Sequence, residues 1–380
     1  MLSGVNVALG VTGSIAAVRV VELAHELRRR GAEVRGVMTH GAQGIIDPWA
    51  LEFATVHPVV TELTGAVEHI ELCGEDGWAD VLLIAPATAN TVGKMAAAVD
   101  VAPAMHQPMY DHPGVLDAIE RLEGWGVRFV DPRMEEGKAK IAENDAIALA
   151  AARAAGPSPL AGKHVVVTSG ATAESVDPVR VLTNRASGKT GRAVAKACYV
   201  RGADVTLVHG VVGPRPVAVD PELPPRPDIA YADLVRVEDT REMIDAAMDA
   251  AAGADALVSA AAISDYTMDA VAEKIRSGDD DLTLELIPTS KLLDGVREAH
   301  PDIPIVGFKV ETSGDDDAMV AAAREVVERV GLSFMVANDA SVMGAEETRA
   351  LFVGADGVSE FVGSKPELGL RVANELADEL

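Results

Sequence analysis

The stretch Val5-Asn6-Val7-Ala8-Leu9-Gly10-Val11-Thr12-Gly13-Ser14-Ile15 begins as a short apolar run, turns on Gly10, Gly13 and Ser14, and passes into a helical pattern that continues to Arg30. It reads as strand, tight turn and helix. Such a turn offers an anion free backbone N–H groups and the positive end of the helix dipole. The glycines fall short of the GxGxxG spacing, so the segment suggests a mononucleotide or phosphate before a dinucleotide. A tight turn without ligand is an equal reading of this segment alone. Gly31 closes the helix, Glu33–Met38 reads as the next strand, and residues 81–85 as a further buried strand ending at Pro86. Strands alternating with helices predict an α/β fold, a mainly parallel sheet with helices on both faces.

Gly156-Pro157-Ser158-Pro159 interrupts this pattern and is the best linker candidate in the chain. A second α/β unit restarts beyond it, with a strand at 163–168, an amphipathic helix at 188–201 and a strand at 204–208. Further buried strands are expected at 256–262, 305–308 and 334–337, and the proline-rich stretch 213–228 as a surface connection. The expected organisation is two Rossmann-like domains, 1–155 and 163–380, joined by 156–162. They share a style of fold without an internal repeat. A length of 380 residues accords with two or three domains of roughly 150 residues each.

Asp and Glu number 59 against 33 Lys and Arg, a formal net charge of −26. Affinity for a phosphate backbone comes from clustered cations, so a nucleic-acid partner is disfavoured. The acids are scattered through every segment and lysine is scarce. That pattern predicts a surface suited to high salt, where screening removes the self-repulsion of carboxylates, although a merely acidic cytosolic protein has the same composition. Hydrophobic residues, at 48%, supply packed cores. No run approaches the ~20 apolar residues of a bilayer span, and the N-terminus lacks the charged region of a signal peptide, so a cytoplasmic location without a membrane partner is expected. Cys73 and Cys198 have no metal-ligand spacing and read as free thiols.

Pro86-Ala87-Thr88-Ala89-Asn90-Thr91 directly follows a buried strand. Ligands of doubly wound sheets sit beyond the carboxyl ends of strands, so Thr88, Asn90 and Thr91 are expected to face the same crevice as Ser14. A helix N-cap accounts for Thr88 or Asn90 but not for the whole cluster. His69, in Glu68-His69-Ile70-Glu71-Leu72, and His106, in Pro103-Ala104-Met105-His106-Gln107-Pro108-Met109-Tyr110, are candidate general bases because imidazole titrates near neutrality. A lone histidine is more often structural than catalytic.

Taken together, the Gly13-Ser14 turn, the His69 segment and residues 86–91 and 103–110 resemble the flavin-dependent cysteine decarboxylases. Asp177-Pro178-Val179-Arg180, Thr183-Asn184-Arg185-Ala186-Ser187-Gly188-Lys189, Asp265-Tyr266, Glu273-Lys274-Ile275 and Ala337-Asn338-Asp339 resemble phosphopantothenate–cysteine ligases. In this order, over nearly the whole chain, they resemble the bifunctional coenzyme A biosynthesis family. The resemblance implies an N-terminal flavodoxin-like flavoprotein domain and a C-terminal ligase domain, assembled as a homo-oligomer through both.

It also implies two consecutive reactions. CTP would activate the carboxylate of 4′-phosphopantothenate with release of pyrophosphate, and the amine of cysteine would then displace CMP. Mg²⁺ is implied as the counter-ion for the meeting polyanions, with no ligands assigned. Asn184 would hold the acyl intermediate with Arg180 nearby, Lys274 would stabilise phosphate charge, and Asp265, Phe308 and Asn338 would line the nucleotide site. In the other half FMN would be held by Gly13, Ser14, Thr39, Thr88 and Asn90 and would oxidise the cysteinyl thiol to ease loss of CO₂. His69 matches the family's base, and His106 stands where many members have a substrate-binding asparagine. Two departures are evident: the family's lysine cluster is reduced to Lys274, Arg276 and Ser277, and the flap at 133–142 carries no cysteine.

The connection from Asn90 to Pro103 is expected to fall short of the dozen or more residues of a parallel crossover, leaving either an open edge on the flavin pocket or a changed topology. An open pocket, with weak flavin binding and a weaker decarboxylase half, is the expectation. A non-catalytic flavoprotein scaffold and a nicotinamide-dependent oxidoreductase are the rival readings. Neither accounts for the ordered ligase motifs.

Overall fold

The structure is a computed structural model. It describes all residues except 75, 93–94, 96–99, 104, 107–112, 136–137, 212–230, 277–281, 312–314, 340–346 and 356, and it omits the side chains of the remaining residues in 100–112 and 134–139 and that of 339. The expected 213–228 connection therefore lies outside the described residues. The chain forms two compact units, one built on Met1–Pro157 and the other on Ser158–Leu223 with Tyr231–Leu380. Leu160 is fully buried and donates its N–H to Arg201 O at 3.0 Å, so the second unit has already begun by that residue.

In the first unit the strands are β1 (Asn6–Val11), β2 (Glu33–Met38), β3 (Val81–Ala87), β4 (Asp100–Pro103), β5 (Met105–His106), β6 (Arg128–Phe129), β7 (Arg133–Glu135) and β8 (Lys138–Lys140). The main sheet has the order β2–β1–β3–β4–β6 with parallel pairing throughout. Strand order reverses between β1 and β3, and that switch point is where such sheets bind ligands. Val7, Leu9 and Leu83 are fully buried in the sheet, as are Leu23 and Leu27 on the helix Val20–Arg29. Each large side chain of this kind contributes about 1.5–3 kcal/mol through apolar burial.

Three expectations change here. The helix expected over 15–30 is split into a 3₁₀ turn, Ile15–Arg19, and an α-helix, Val20–Arg29, because Ser14 caps the first turn by accepting the Ala16 N–H at 3.3 Å. The strand expected to stop at Pro86 continues to Ala87, where it pairs with Pro103 across a register shift. The short connection does make a parallel crossover. Leu83 pairs with Asp100 and Ile84 with Val101, and the connection begins with the helical turn Ala89–Val92, so the altered topology is set aside.

The second unit contains β9 (His164–Gly170), the antiparallel pair β10 (Ala173–Ser175) and β11 (Val181–Thr183), β12 (Asp204–Gly210), β13 (Asp233–Val237), β14 (Ala256–Ser259), the short pair β15 (Tyr266–Thr267) and β16 (Ile287–Pro288), β17 (Ile305–Glu311), β18 (Phe334–Asp339), β19 (Glu347–Gly354) and β20 (Val358–Ser364). Its large sheet runs β13–β12–β9–β14–β17–β18–β19–β20, parallel up to β18 and antiparallel beyond. The parallel part has the doubly wound order of a Rossmann fold, with its switch point between β9 and β14. Val166, Leu257, Ile305 and Met335 from successive strands share one core with Met243 and Ala247 of the helix Thr240–Ala251 and with Met319, Ala323 and Val327 of the helix Asp316–Val330. The strand expected over 256–262 stops at Ser259 because the next N–H groups leave the ladder. Ala261 donates to Thr168 Oγ1 at 3.2 Å and Ala262 to Gly170 O at 2.8 Å.

The last helix, Lys365–Ala377, lies against the helix Lys189–Val200 at backbone distance. A Cβ on Gly369 would stand 2.5 Å from Ala193 O, so only glycine permits this approach.

Candidate functional site

In the first unit Thr12 ties the two strands of the switch point together. Its buried hydroxyl donates to Pro86 O at 2.7 Å and accepts the Thr88 N–H at 3.1 Å, which fixes the end of β1 against the end of β3. A cavity of about 310 Å³ opens beside this staple, with mostly apolar walls that include Val37, Leu82 and Ile84. Thr39, His69, Cys73 and Thr91 supply its polar points. The size and walls suit a flat aromatic ring system with a few directed polar contacts. His69 and Cys73 are four residues apart on the helix Glu68–Cys73, hence on one face. Desolvation raises the Cys73 thiol above its usual range, a modest effect because the residue is exposed overall, and favours the protonated thiol.

The other residues expected to hold a cofactor are not in the cavity wall. Gly13 packs on Gly41, whose carbonyl carbon a Cβ would approach to 3.0 Å, and Ser14 caps the 3₁₀ turn. Thr88 Oγ1 is 2.9 Å from Thr91 Oγ1. Asn90 is exposed, because the turn Ala89–Val92 rotates it away while bringing Thr91 to the cavity. His106 lies on β5, paired with Lys138 of the β7–β8 flap, and its side chain is outside the described residues. Glu143 anchors this region by accepting from Arg19 at 2.9 Å and from Arg133 at 2.6 Å.

In the second unit a larger cleft, about 580 Å³, lies at the β9–β14 switch point. Asn184 reaches it at the end of β11 and donates through Nδ2 to Ala262 O at 3.1 Å. The loop then closes on Gly188, which has φ +71° and sits so near Gly170 that a Cβ would be 3.0 Å from its N. Ser169 Oγ donates to Gly188 O at 3.0 Å and fixes the start of the helix Lys189–Val200. This places free N–H groups and a helix dipole at the cleft. Asp265, Phe308 and Asn338 also line it, and Asn338 Oδ1 is buried without a hydrogen-bond partner among the described residues.

The cleft gathers four cationic side chains, Arg185, Lys189, Lys309 and Lys365, with Asp265 as the carboxylate in its wall. In a chain of net charge −26 this local reversal of sign marks a site for an anion. Asp265 is paired with Lys291, and Lys309 with Glu311 at 3.0 Å. Lys309 and Lys365 had no local sequence signature, since they come from a strand end and a helix start far from the Asn184 loop. Among the described residues no three His, Cys, Asp or Glu side chains converge to hold a metal ion.

Arg180 and Lys274 are not in the cleft wall. Arg180 instead binds Asp177, which is 3% exposed and whose carboxylate accepts the N–H groups of Val179 and Arg180 at 2.8 Å each and of Ile275, the residue after Lys274, at 3.1 Å, together with the Arg180 guanidinium. Burial pushes this carboxyl upward, but the backbone donors and the Arg180 charge outweigh it and hold the group below the ordinary aspartate range. Lys274 itself is exposed, next to the anchored Ile275.

Comparison with known proteins agrees with this division. Residues 160–380 match the family described as the DNA/pantothenate metabolism flavoprotein C-terminal domain, and residues 1–100 and 96–155 match the Flavoprotein family. A coenzyme A biosynthesis bifunctional protein CoaBC from Thermococcus kodakarensis is 42% identical over 402 aligned residues, which cover all of this chain and 95% of the relative. The protein of the same name from Bacillus subtilis is 32% identical over 376 residues, 91% of this chain and 88% of the relative. Among solved structures, a C-terminal domain of CoaBC is 26% identical, with a TM-score of 0.47, covering 58% of this chain and 97% of that one. The chain thus belongs to the family of coenzyme A biosynthesis bifunctional proteins.

Proposed function

We propose that the second unit joins 4′-phosphopantothenate to cysteine at the expense of CTP, and that the first decarboxylates the product, 4′-phosphopantothenoylcysteine, to 4′-phosphopantetheine with FMN. The observation that carries the ligase reading is the cationic cleft at the β9–β14 switch point, with Asn184 fixed on its floor. The substrate carboxylate attacks the α-phosphorus of CTP, pyrophosphate leaves, and the amine of cysteine then attacks the acyl carbon and expels CMP. The cleft's cations offset the charge brought together in the first step, and the Asn184 amide orients the acyl group for the second. Magnesium would arrive with the nucleotide and offset the charge of its phosphates.

In the first unit Thr39 and Thr91 would hold FMN against the apolar cavity, with Ser14 and Thr88 at the neighbouring ends of β1 and β3. FMN, when bound, supplies reversible oxidation of the substrate sulfur. His69 would take the proton released from that thiol, and the flap paired with the His106 strand would cover the substrate. Assembly as a homo-oligomer through both units belongs to the same reading, as does a cytoplasmic location.

A second reading, a working ligase beside an impaired decarboxylase, is favoured by one observation. The flap at 133–142 carries no cysteine, where the family resemblance implies one that helps complete the reduction. The ligase reading is tested by following pyrophosphate release from CTP and 4′-phosphopantothenate before cysteine is added. A burst that needs both compounds is expected, and release that ignores 4′-phosphopantothenate would overturn it.

A further inference from the structure

The helices Lys189–Val200 and Lys365–Ala377 come closest where Gly369 faces Ala193, and each of these residues is four positions beyond the first residue of its helix. One turn back from that contact, Lys189 and Lys365 both line the switch-point cleft. Two positive helix ends and two ammonium groups therefore converge on one place. Ser364 caps the second helix by accepting the Glu367 N–H, and Glu367 accepts the Ser364 N–H at 2.8 Å, so the start of this helix is fixed. Burial, and then the charge of Lys189, hold Lys365 below the ordinary lysine range. A second observation at the same cleft points to a ligand: the buried Asn338 Oδ1 has no partner among the described residues, and an N–H group of a bound molecule would satisfy it.

We propose that Lys365 is a polyphosphate-binding residue, gripping with Lys189 the phosphate chain of the nucleotide. The inference rests on the nucleotide-dependent ligase reading and assigns the polyphosphate end of its cleft to the last helix of the chain. Strands β19 and β20, which extend the parallel sheet, thereby acquire a role: they deliver that helix and its lysine to the switch point.

The test uses inorganic tripolyphosphate, which has no base or sugar. Acetylation of the intact protein by a small amine-reactive ester, read residue by residue by mass spectrometry, should be slowed at Lys365 and Lys189 by tripolyphosphate and unchanged at half-exposed Lys163, which lies outside the cleft. In parallel, Lys365→Gln should weaken tripolyphosphate binding about tenfold, as loss of one charge-assisted hydrogen bond in a half-exposed cleft would, and Lys365→Arg should restore most of it. Acetylation of Lys365 unaffected by saturating tripolyphosphate would overturn the assignment, whether or not the variants fold. So would a folded Lys365→Gln protein with parental affinity. Protection of Lys365 in a protein that fails to turn over CTP would keep this site and sink the ligase reading; CTP turnover without protection would do the reverse.

Discussion

Asp177 accepts the backbone N–H of Ile275 at 3.1 Å, a contact between positions 98 residues apart, and so pins the segment that carries Lys274 to the turn that carries Arg180. Arg180 strengthens the same tie by also donating to Ile275 O at 3.1 Å. The carboxylate is the centre of this knot, so its charge holds the backbone next to Lys274. Because its folded-state pKa is depressed, the stabilisation is present above the unfolded value of about 3.9 and is lost as pH falls through the lower folded value. Asp177→Asn should therefore lower the melting temperature near neutrality and make stability less steeply dependent on pH below about 4. Equal acid slopes for parent and variant in chemical denaturation would contradict this.

Asn184 and Lys274 are expected to act at different steps. Asn184→Asp should slow consumption of the acyl-cytidylate about tenfold or more by placing a negative charge against the acyl group. Lys274→Gln should slow its formation, with a matching drop in pyrophosphate release. Rapid-quench analysis with CTP separates the two, and parental rates for both variants would remove these roles.

The strand at Glu33–Met38 and the Rossmann-like alternation were legible because buried parallel strands are short apolar runs between helical patterns. The 3₁₀ turn at Ile15–Arg19 was not, since apolar period alone does not distinguish its hydrogen bonding from that of an α-helix. Strands β19 and β20 are not evident from apolar runs, although the sequence Gly354-Ala355-Asp356-Gly357 between them carries a hairpin signal. In the site, Asn184 was legible through its neighbours in sequence, whereas Lys365 enters the cleft only because Gly369 lets its helix meet Ala193. Thr12 has no signature of its own within the glycine turn, because its role depends on Pro86 and Thr88, which the fold brings to it.

That role gives a prediction for the flavin half. Thr12→Val would leave the Pro86 carbonyl and the Thr88 N–H without this partner in a buried place, which costs about 1–3 kcal/mol. Flavin affinity should fall with stability, because the staple shapes the cavity edge. Flavin titration followed by fluorescence quenching tests it. In the parent protein the same titration is expected to show weak binding, and tight stoichiometric binding would argue against an impaired decarboxylase half.

Salt should stabilise this chain. A net charge of −26 makes carboxylate repulsion the dominant long-range effect, and screening shortens its reach. Local pairs such as Arg349 with Asp316, at 2.6 Å, offset only a little of it at the surface. Melting temperature and ligase activity are both expected to rise as KCl approaches molar concentration, and a melting temperature that stays flat or falls would contradict the reading of an acidic surface adapted to salt.

The most direct test of two consecutive reactions on one chain is product analysis by mass spectrometry, in high salt with Mg²⁺ and FMN, using 4′-phosphopantothenate, CTP and cysteine labelled at its carboxyl carbon. The account predicts CMP and pyrophosphate in equal amounts, early accumulation of labelled 4′-phosphopantothenoylcysteine, and its slower conversion to unlabelled 4′-phosphopantetheine as labelled CO₂ appears. A complete mixture that yields no CMP and no labelled adduct would contradict it.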